Sequence, residues 1–362
     1  MHPHDSGRME PVKDMKKKKR IELIDLVKAV TIFLVILGHT TGNLETPLYR
    51  RILYSFHMPL FFFLAGLSIR PAPVKGWHGW QVFLRKNILA LVVPYLIWGL
   101  IYAPFSFDRF PKLFYASWAA LGAMGTLTSL WYLSALFSAR ILTQALISLF
   151  GTPDTDRLRT LCGYAAVPMF LIGFLLPKFK MGYPGCLDVA FVAAGFILSG
   201  IALWETVLVF AQETELKLSA LFAVSLVVFY LGTAARGDAL ELSLMCAGIY
   251  GDIFWFMLNS ISGSVLVISF CMILARIARE GVRPFSLWAV RSIGIHTMGI
   301  FLIHKNLLYQ LILPWIRSFI PGMEFFTAFL GSCVALAISL GLCLLIERYV
   351  PQLLGQFPKY EA

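Results

Sequence analysis

Ionisable side chains are sparse in the apolar stretches of this 362-residue chain, and they fall in a pattern. Lys28 and His39 stand eleven residues apart in "DLVKAVTIFLVILGH". At about 100° per residue, eleven residues of α-helix make three turns plus about 20°, so both side chains leave one face, about 16 Å apart along the axis. Asp25 lies three residues before Lys28, near the same stripe, where it can pair with it. His57 opens the next apolar stretch, "YSFHMPLFFFLAG", and His304 comes late in the chain in "IGIHTMGIFLIHKN". An imidazole titrates near neutral pH and takes a proton from a hydroxyl in general-base catalysis. A helix face with an ammonium near one end and an imidazole near the other points to a polar passage with proton-transfer chemistry at one mouth.

The elements that hold these residues are membrane helices. The chain is 58% hydrophobic and only 14% charged, with a mean hydropathy of +0.75, against about 25% charged residues in ordinary soluble domains. Apolar runs of about 20 residues, enough to cross a bilayer, recur along its length. Ten spans are predicted, at about 23–41, 52–69, 83–104, 129–150, 160–176, 187–209, 217–235, 254–275, 290–312 and 326–348. The expected fold is all-α and polytopic: a basic tail over 1–20, a ten-helix domain over 21–348 and a second tail over 349–362. The segments "FDRFPKLFYASWAALGAMG" and "RGDALELSLMCAGIYGDIFW" are expected to hold interfacial or re-entrant pieces. The run "MKKKKR" before the first span places that end in the cytoplasm, and the basic loops around 70–86, 151–159, 210–217 and 276–291 then face the same side. Both termini are therefore expected inside, and the membrane is expected to be the cell's inner (plasma) membrane. Most of the +11 formal charge is this topology signal, with contact to anionic lipid of the bilayer as a smaller reading. No basic surface lies beyond these membrane-flanking clusters, which argues against nucleic acid as a partner. The first span holds Asp25 and Lys28 and has no small-residue cleavage site, so it is not expected to be a removable signal. The residues before Met9 or Met15 read as an upstream extension.

With that orientation, His39, His57 and His304 share the outer layer, the first two within about 8 Å of the boundary. Arg85 and Lys86 at the start of the third span and Arg140 in the fourth join Lys28 as an inner basic vestibule suited to a phosphorylated cytosolic molecule. An ionisable group at the bilayer centre costs at least about 2.5–3.5 kcal/mol, so such groups pair or line a cavity. Each also has a plainer reading. His57 suits a hydrogen bond to a carbonyl loosened by Pro59, Arg85 and Lys86 suit topology anchors, and Arg140 and Lys305 suit snorkelling to the headgroups. His296 suits a structural hydrogen bond, and Glu347 with Arg348 a boundary pair. The six cysteines are scattered without metal-ligand spacing and read as packing residues. No phosphate-binding glycine loop or HExxH pattern occurs.

The stretches "IELIDLVKAVTIFLVILGHTTGN", "YSFHMPLFFFLAGLSIR", "FLRKNILALVVPYL", "SLWYL" and "IGIHTMGIFLIHKNLL", in that order, resemble membrane acyltransferase family 3, in particular its fucose 4-O-acetylase-like branch of sugar O-acetyltransferases. The family's arginine followed by ten residues and a histidine is here Lys28 and His39, so the charge is kept and the bidentate fork is lost. Its FFxxSG element is Phe62-Phe63-Leu64-Ala65-Gly66, with alanine in place of serine. The resemblance implies transfer of an acyl group, acetyl by default, from cytosolic acetyl-CoA to a glycan or glycolipid hydroxyl on the outer face. It also implies a chain without the esterase-like domain that some members carry. On that reading His39 is the general base and His57 or Ser55 orients it or the acceptor. Lys28, Arg85, Lys86 and Arg140 meet the phosphates of CoA. Trp131 and Tyr132 stack on a sugar, with His304 beside them. The thioester drives the reaction without a metal, and relay through an acylated residue is an equal variant. The competing class is a proton-coupled carrier of a small polar solute or lipid-linked sugar, and a third is a non-catalytic partner of a polysaccharide assembly machine. Oligomeric state is not legible in the sequence.

Overall fold

The computed structural model describes residues 12–40, 46–103, 109–124, 126–176, 182–281, 284–319 and 324–357, with backbone alone at 12–21, 126, 279–281 and 284–287. Among them every regular element is helical apart from one isolated bridge between Leu244 and Ile249. In chain order the α-helices are α1 (Val12–Gly38), α2 (Leu48–Tyr54), α3 (His57–Ser68), α4 (Gly76–Asn87), α5 (Val93–Tyr102), α6 (Phe110–Tyr115), α7 (Trp118–Gly122), α8 (Trp131–Phe150) and α9 (Thr155–Leu175). They continue with α10 (Leu187–Ala202), α11 (Trp204–Phe210), α12 (Glu215–Gly232), α13 (Ile253–Gly281), α14 (Pro284–Ile295), α15 (Thr297–Leu307), α16 (Leu313–Phe319) and α17 (Glu324–Tyr349).

Among the described residues eight helical segments are long and apolar enough to cross a bilayer: Leu48–Ser68, Gly76–Tyr102, Leu127–Phe150, Thr155–Leu175, Pro184–Ala202, Glu215–Ala239, Ile253–Ala278 and Glu324–Tyr349. The protein is an all-α polytopic membrane protein. The first and ninth predicted spans coincide with α1 and with the broken run α14–α16. Helix α1 starts at Val12 and so takes in the basic run "MKKKKR" that was expected to belong to a tail. Residues 1–11 and 358–362 of the two expected tails lie outside the described residues.

Helix α10 is largely buried and packs on α3, α8 and α9. Its crossing with α3 depends on two glycines. A Cβ on Gly66 would strike the Ile197 carbonyl, and one on Gly200 would strike the Phe63 carbonyl. Small residues that let backbones touch are the usual glue where lipid removes the hydrophobic drive between helices.

Breaks in the helices follow from named residues. Pro59 has no N–H for the Ser55 carbonyl four residues back, and the Ser260 hydroxyl of α13 donates to that carbonyl instead, at 2.9 Å. The π-helical turns Ile88–Val92 and Leu308–Ile312 each stand just before a proline, Pro94 and Pro314. A missing donor and a bulky ring widen the preceding turn. The Tyr102 hydroxyl then ties α5 to the Leu302 carbonyl of α15 at 2.8 Å.

Candidate active site

A cavity of about 250 Å³ lies where the C-terminal end of α1 meets α2, α3, the start of α8, α15 and the segment 242–246. Its polar walls carry His39, Arg50, Tyr54, His57, Thr128, Ser129, Ser243, Cys246 and Lys305, and its aromatic walls Trp118, Trp131 and Phe301.

His39 follows directly on α1, its N–H bonded to the Val35 and Ile36 carbonyls, so it prolongs the last turn. Its Nδ1 is 3.1 Å from the Tyr54 hydroxyl. Gly38 leaves room for Tyr54, since a Cβ there would stand a tight 3.1 Å from the ring. Arg50 lies over the Tyr54 ring, 5.0 Å from its centre. His57 caps the broken turn between α2 and α3: its Nδ1 donates to the Leu53 carbonyl at 2.5 Å. A carbonyl only accepts, so the proton sits on Nδ1 and Nε2 keeps its lone pair. The same logic holds for His304, whose Nδ1 donates to the Ile300 carbonyl at 3.0 Å. His304 is fully buried, its ring 5.4 Å from that of His39, and its Nε2 meets no partner among the described residues. Lys305, the next residue, donates from Nζ to Thr128 Oγ1.

The structure therefore brings His39, His57 and Trp131 to one chamber, with His304 against its edge. His57 sits deeper along its helix than expected, because the helical run begins at Leu48 and not near 52. Ser55 does not line the chamber: its hydroxyl donates to the Ile52 carbonyl at 2.7 Å. Tyr132 is turned behind the wall, with its ring 5.0 Å from Phe62 and 5.1 Å from Phe301. Lys305, whose plainer reading is snorkelling outward, enters the chamber, since α15 packs against the 3₁₀ turn Thr126–Leu130 that precedes α8. Glu347 pairs with His296 at 2.8 Å rather than with Arg348, whose guanidinium lies over Tyr349. The remaining nitrogen of His296 donates to the Ser292 carbonyl at the break between α14 and α15.

The other expected cations lie elsewhere. Arg140 is nine residues beyond Trp131 on α8, about 13 Å along the axis, and donates from Nη1 to the Asn87 side chain at 2.9 Å. Asn87 follows Arg85 and Lys86 at the end of α4, so these three cations gather at one place, Arg85 and Lys86 exposed and Arg140 half-buried. Lys28 is half-buried on α1, where its charge and that of Arg291 act on the buried Asp25.

Arg50, Tyr54, Cys246 and Lys305 were not anticipated as site residues. Arg50, Tyr54 and His57 stand at i, i+4 and i+7, a helical stripe legible once the helix is begun at Leu48. Cys246, read as packing, lines the chamber because the segment after α12 folds back over it in a short 3₁₀ turn, Met245–Ala247. No group of three or more His, Cys, Asp or Glu side chains among the described residues is placed to share a metal ion.

Comparison with protein families supplies the class of chemistry. The model of acyltransferase family 3, described as an acyltransferase domain, matches residues 21–348. The chain belongs to that family. No curated protein matches it. The acyltransferase is a membrane enzyme that takes an acyl donor and an acceptor, and its matched region runs from the start of α1's apolar part to the end of α17. All the chamber residues named above lie inside it.

Proposed function

We propose that the acyltransferase moves an acyl group, acetyl in the first instance, from cytosolic acyl-CoA to a carbohydrate hydroxyl on the outer face of the plasma membrane, with His39 as general base. The observation that carries this reading is His39 itself. It stands in the chamber eleven residues beyond Lys28, with Nδ1 against the Tyr54 hydroxyl. In the reactive tautomer Nδ1–H donates to the Tyr54 oxygen and Nε2 holds the lone pair that receives the acceptor's proton. The acceptor oxygen bonds to the thioester carbonyl carbon, the C–S bond breaks, and the CoA thiolate leaves and takes the proton from the imidazolium. The phosphates of CoA belong with Arg85, Lys86 and Arg140, and with Lys28 on the same side of the membrane. Trp131 offers a ring to a sugar face, and His57 is the second imidazole in reach of the acceptor.

The test uses proteoliposomes with radiolabelled acetyl-CoA on one side and a glycan acceptor on the other. Label should appear on the acceptor, and CoA should be released slowly without it. A protein that neither binds nor cleaves acetyl-CoA is not this enzyme. The broken runs at Tyr54–His57 and at His296 favour a second reading, because carriers bind solutes at interrupted helices. A carrier would move sugar across the bilayer and ignore acyl-CoA.

A further inference from the structure

Attack on a thioester drives negative charge onto the carbonyl oxygen. Sites of acyl transfer meet that oxygen with preset hydrogen-bond donors, usually the largest single contribution to the rate. His39 is occupied with the proton of the attacking hydroxyl, so the donors stand elsewhere in the chamber. The 3₁₀ turn Thr126–Leu130 packs on α15 and brings Thr128 and Ser129 to the cavity beside Lys305. Lys305 Nζ donates to Thr128 Oγ1. An ammonium has three N–H groups, so this one bond fixes it at the wall without exhausting it. Ser129, the next residue along, is buried and lines the chamber, and its hydroxyl makes no hydrogen bond among the described residues. A buried hydroxyl without a partner costs stability, and a substrate oxygen that accepts from it removes the cost. Lys305 directly follows His304, whose ring is 5.4 Å from that of His39, and its charge acts on the His39 imidazole. The chamber, at about 250 Å³, is below the roughly 300–1,000 Å³ of pockets that take drug-sized ligands. A thioester beside His39 in so small a space also meets the wall of Lys305 and Ser129.

We propose that Lys305 Nζ and Ser129 Oγ are catalytic donors to the thioester carbonyl oxygen, with Thr128 as the residue that positions the ammonium. The attacking oxygen bonds to the carbonyl carbon and gives its proton to His39. The π pair of the carbonyl moves onto its oxygen, which Lys305 and Ser129 hold by hydrogen bonds while keeping their own protons. The pair then returns, the C–S bond breaks, and the CoA thiolate takes the proton from the His39 imidazolium. This rests on the acyltransfer reading and adds to it the groups that stabilise the intermediate.

The experiment follows CoA release from acetyl-CoA by the protein in nanodiscs, with water as the acceptor. Lys305→Gln should lower kcat about 10²- to 10³-fold, the range for loss of one such donor, and Ser129→Ala about 10- to 100-fold. The KM for acetyl-CoA should stay unchanged in both. Thr128→Val should lower kcat about tenfold and Thr128→Ser should restore it. The deciding readout is an analogue of acetyl-CoA with sulfur in place of the carbonyl oxygen, because sulfur accepts hydrogen bonds weakly. The wild-type preference for oxygen over sulfur should shrink at least about tenfold in both Lys305→Gln and Ser129→Ala. A lower kcat with that preference unchanged makes the two residues structural and overturns the proposal, and so does a rise in KM alone. Wild-type rates in both variants remove the proposal and leave the acyltransfer reading standing. A wild-type protein that does not cleave acetyl-CoA removes both.

Discussion

The His39 chamber and the Arg140 cluster are two polar regions of one helical bundle, held in opposite ways. In the chamber the imidazoles are held on main-chain carbonyls, His57 on Leu53 at the break between α2 and α3 and His304 on Ile300 within α15, and the Ser260 hydroxyl closes the Ser55 carbonyl. Around Arg140 a side-chain amide, that of Asn87, accepts from the guanidinium, and Arg85 and Lys86 stand exposed on the last turn of α4. Fixed imidazoles suit a reaction that tolerates little displacement. Cations exposed at a helix end suit a flexible, multiply charged group that is captured and released.

The largest effect expected is at the His39 end. His39→Ala should lower acyl transfer about 10²- to 10⁴-fold, the range for loss of a general base, with insertion and thermal unfolding unchanged. Transfer at the wild-type rate would dissolve the contrast between the two regions. Tyr54→Phe removes only the hydroxyl beside Nδ1, and kcat should fall about tenfold with the KM for acyl-CoA unchanged; a change in KM alone would assign Tyr54 to binding. At the Arg140 end the parameters should swap. Arg140→Ala should raise the KM for acyl-CoA about tenfold with little change in kcat, measured at saturating acceptor. The pair Arg85→Ala with Lys86→Ala should raise it only about two- to fivefold, and high salt should mimic the effect in the wild-type protein, because exposed charges are screened. An unchanged KM would make that pair topology anchors.

The smallest effect lies outside both regions. Glu213 bonds Lys217 at 2.9 Å, and that ammonium holds its carboxyl below the usual carboxylate range. A carboxyl lowered in the folded state stabilises above its unfolded value, and the contribution is lost as pH falls through the lowered one. The pair lies at the surface, where ion pairs are worth little, so Glu213→Gln should leave the transfer rate and the thermal midpoint within error at neutral pH.

Much of the bundle was legible in the composition alone, because burial in lipid needs uninterrupted apolar length, and length is a property of the chain. The lining of the chamber was less so. Lys305 follows His304 in the sequence, yet whether a lysine near a helix end snorkels outward or turns inward depends on what the turn before α8 places opposite it, here Thr128. Ser55 neighbours Tyr54, yet its hydroxyl turns back to its own helix while the ring of Tyr54 reaches His39.

The sequence by itself determined the apolar segments, the shared face of Lys28 and His39, and the family whose pattern the chain carries. Only the tertiary structure decided that Arg50, Tyr54, Cys246 and Lys305 close around His39 while Arg140 stays some 13 Å along α8 with Asn87. The physical reason is that helical periodicity sets the direction of a side chain within its own segment. Which segments face one another is settled by helix breaks and close crossings, such as those at Pro59 and Gly66, that join residues far apart in the chain.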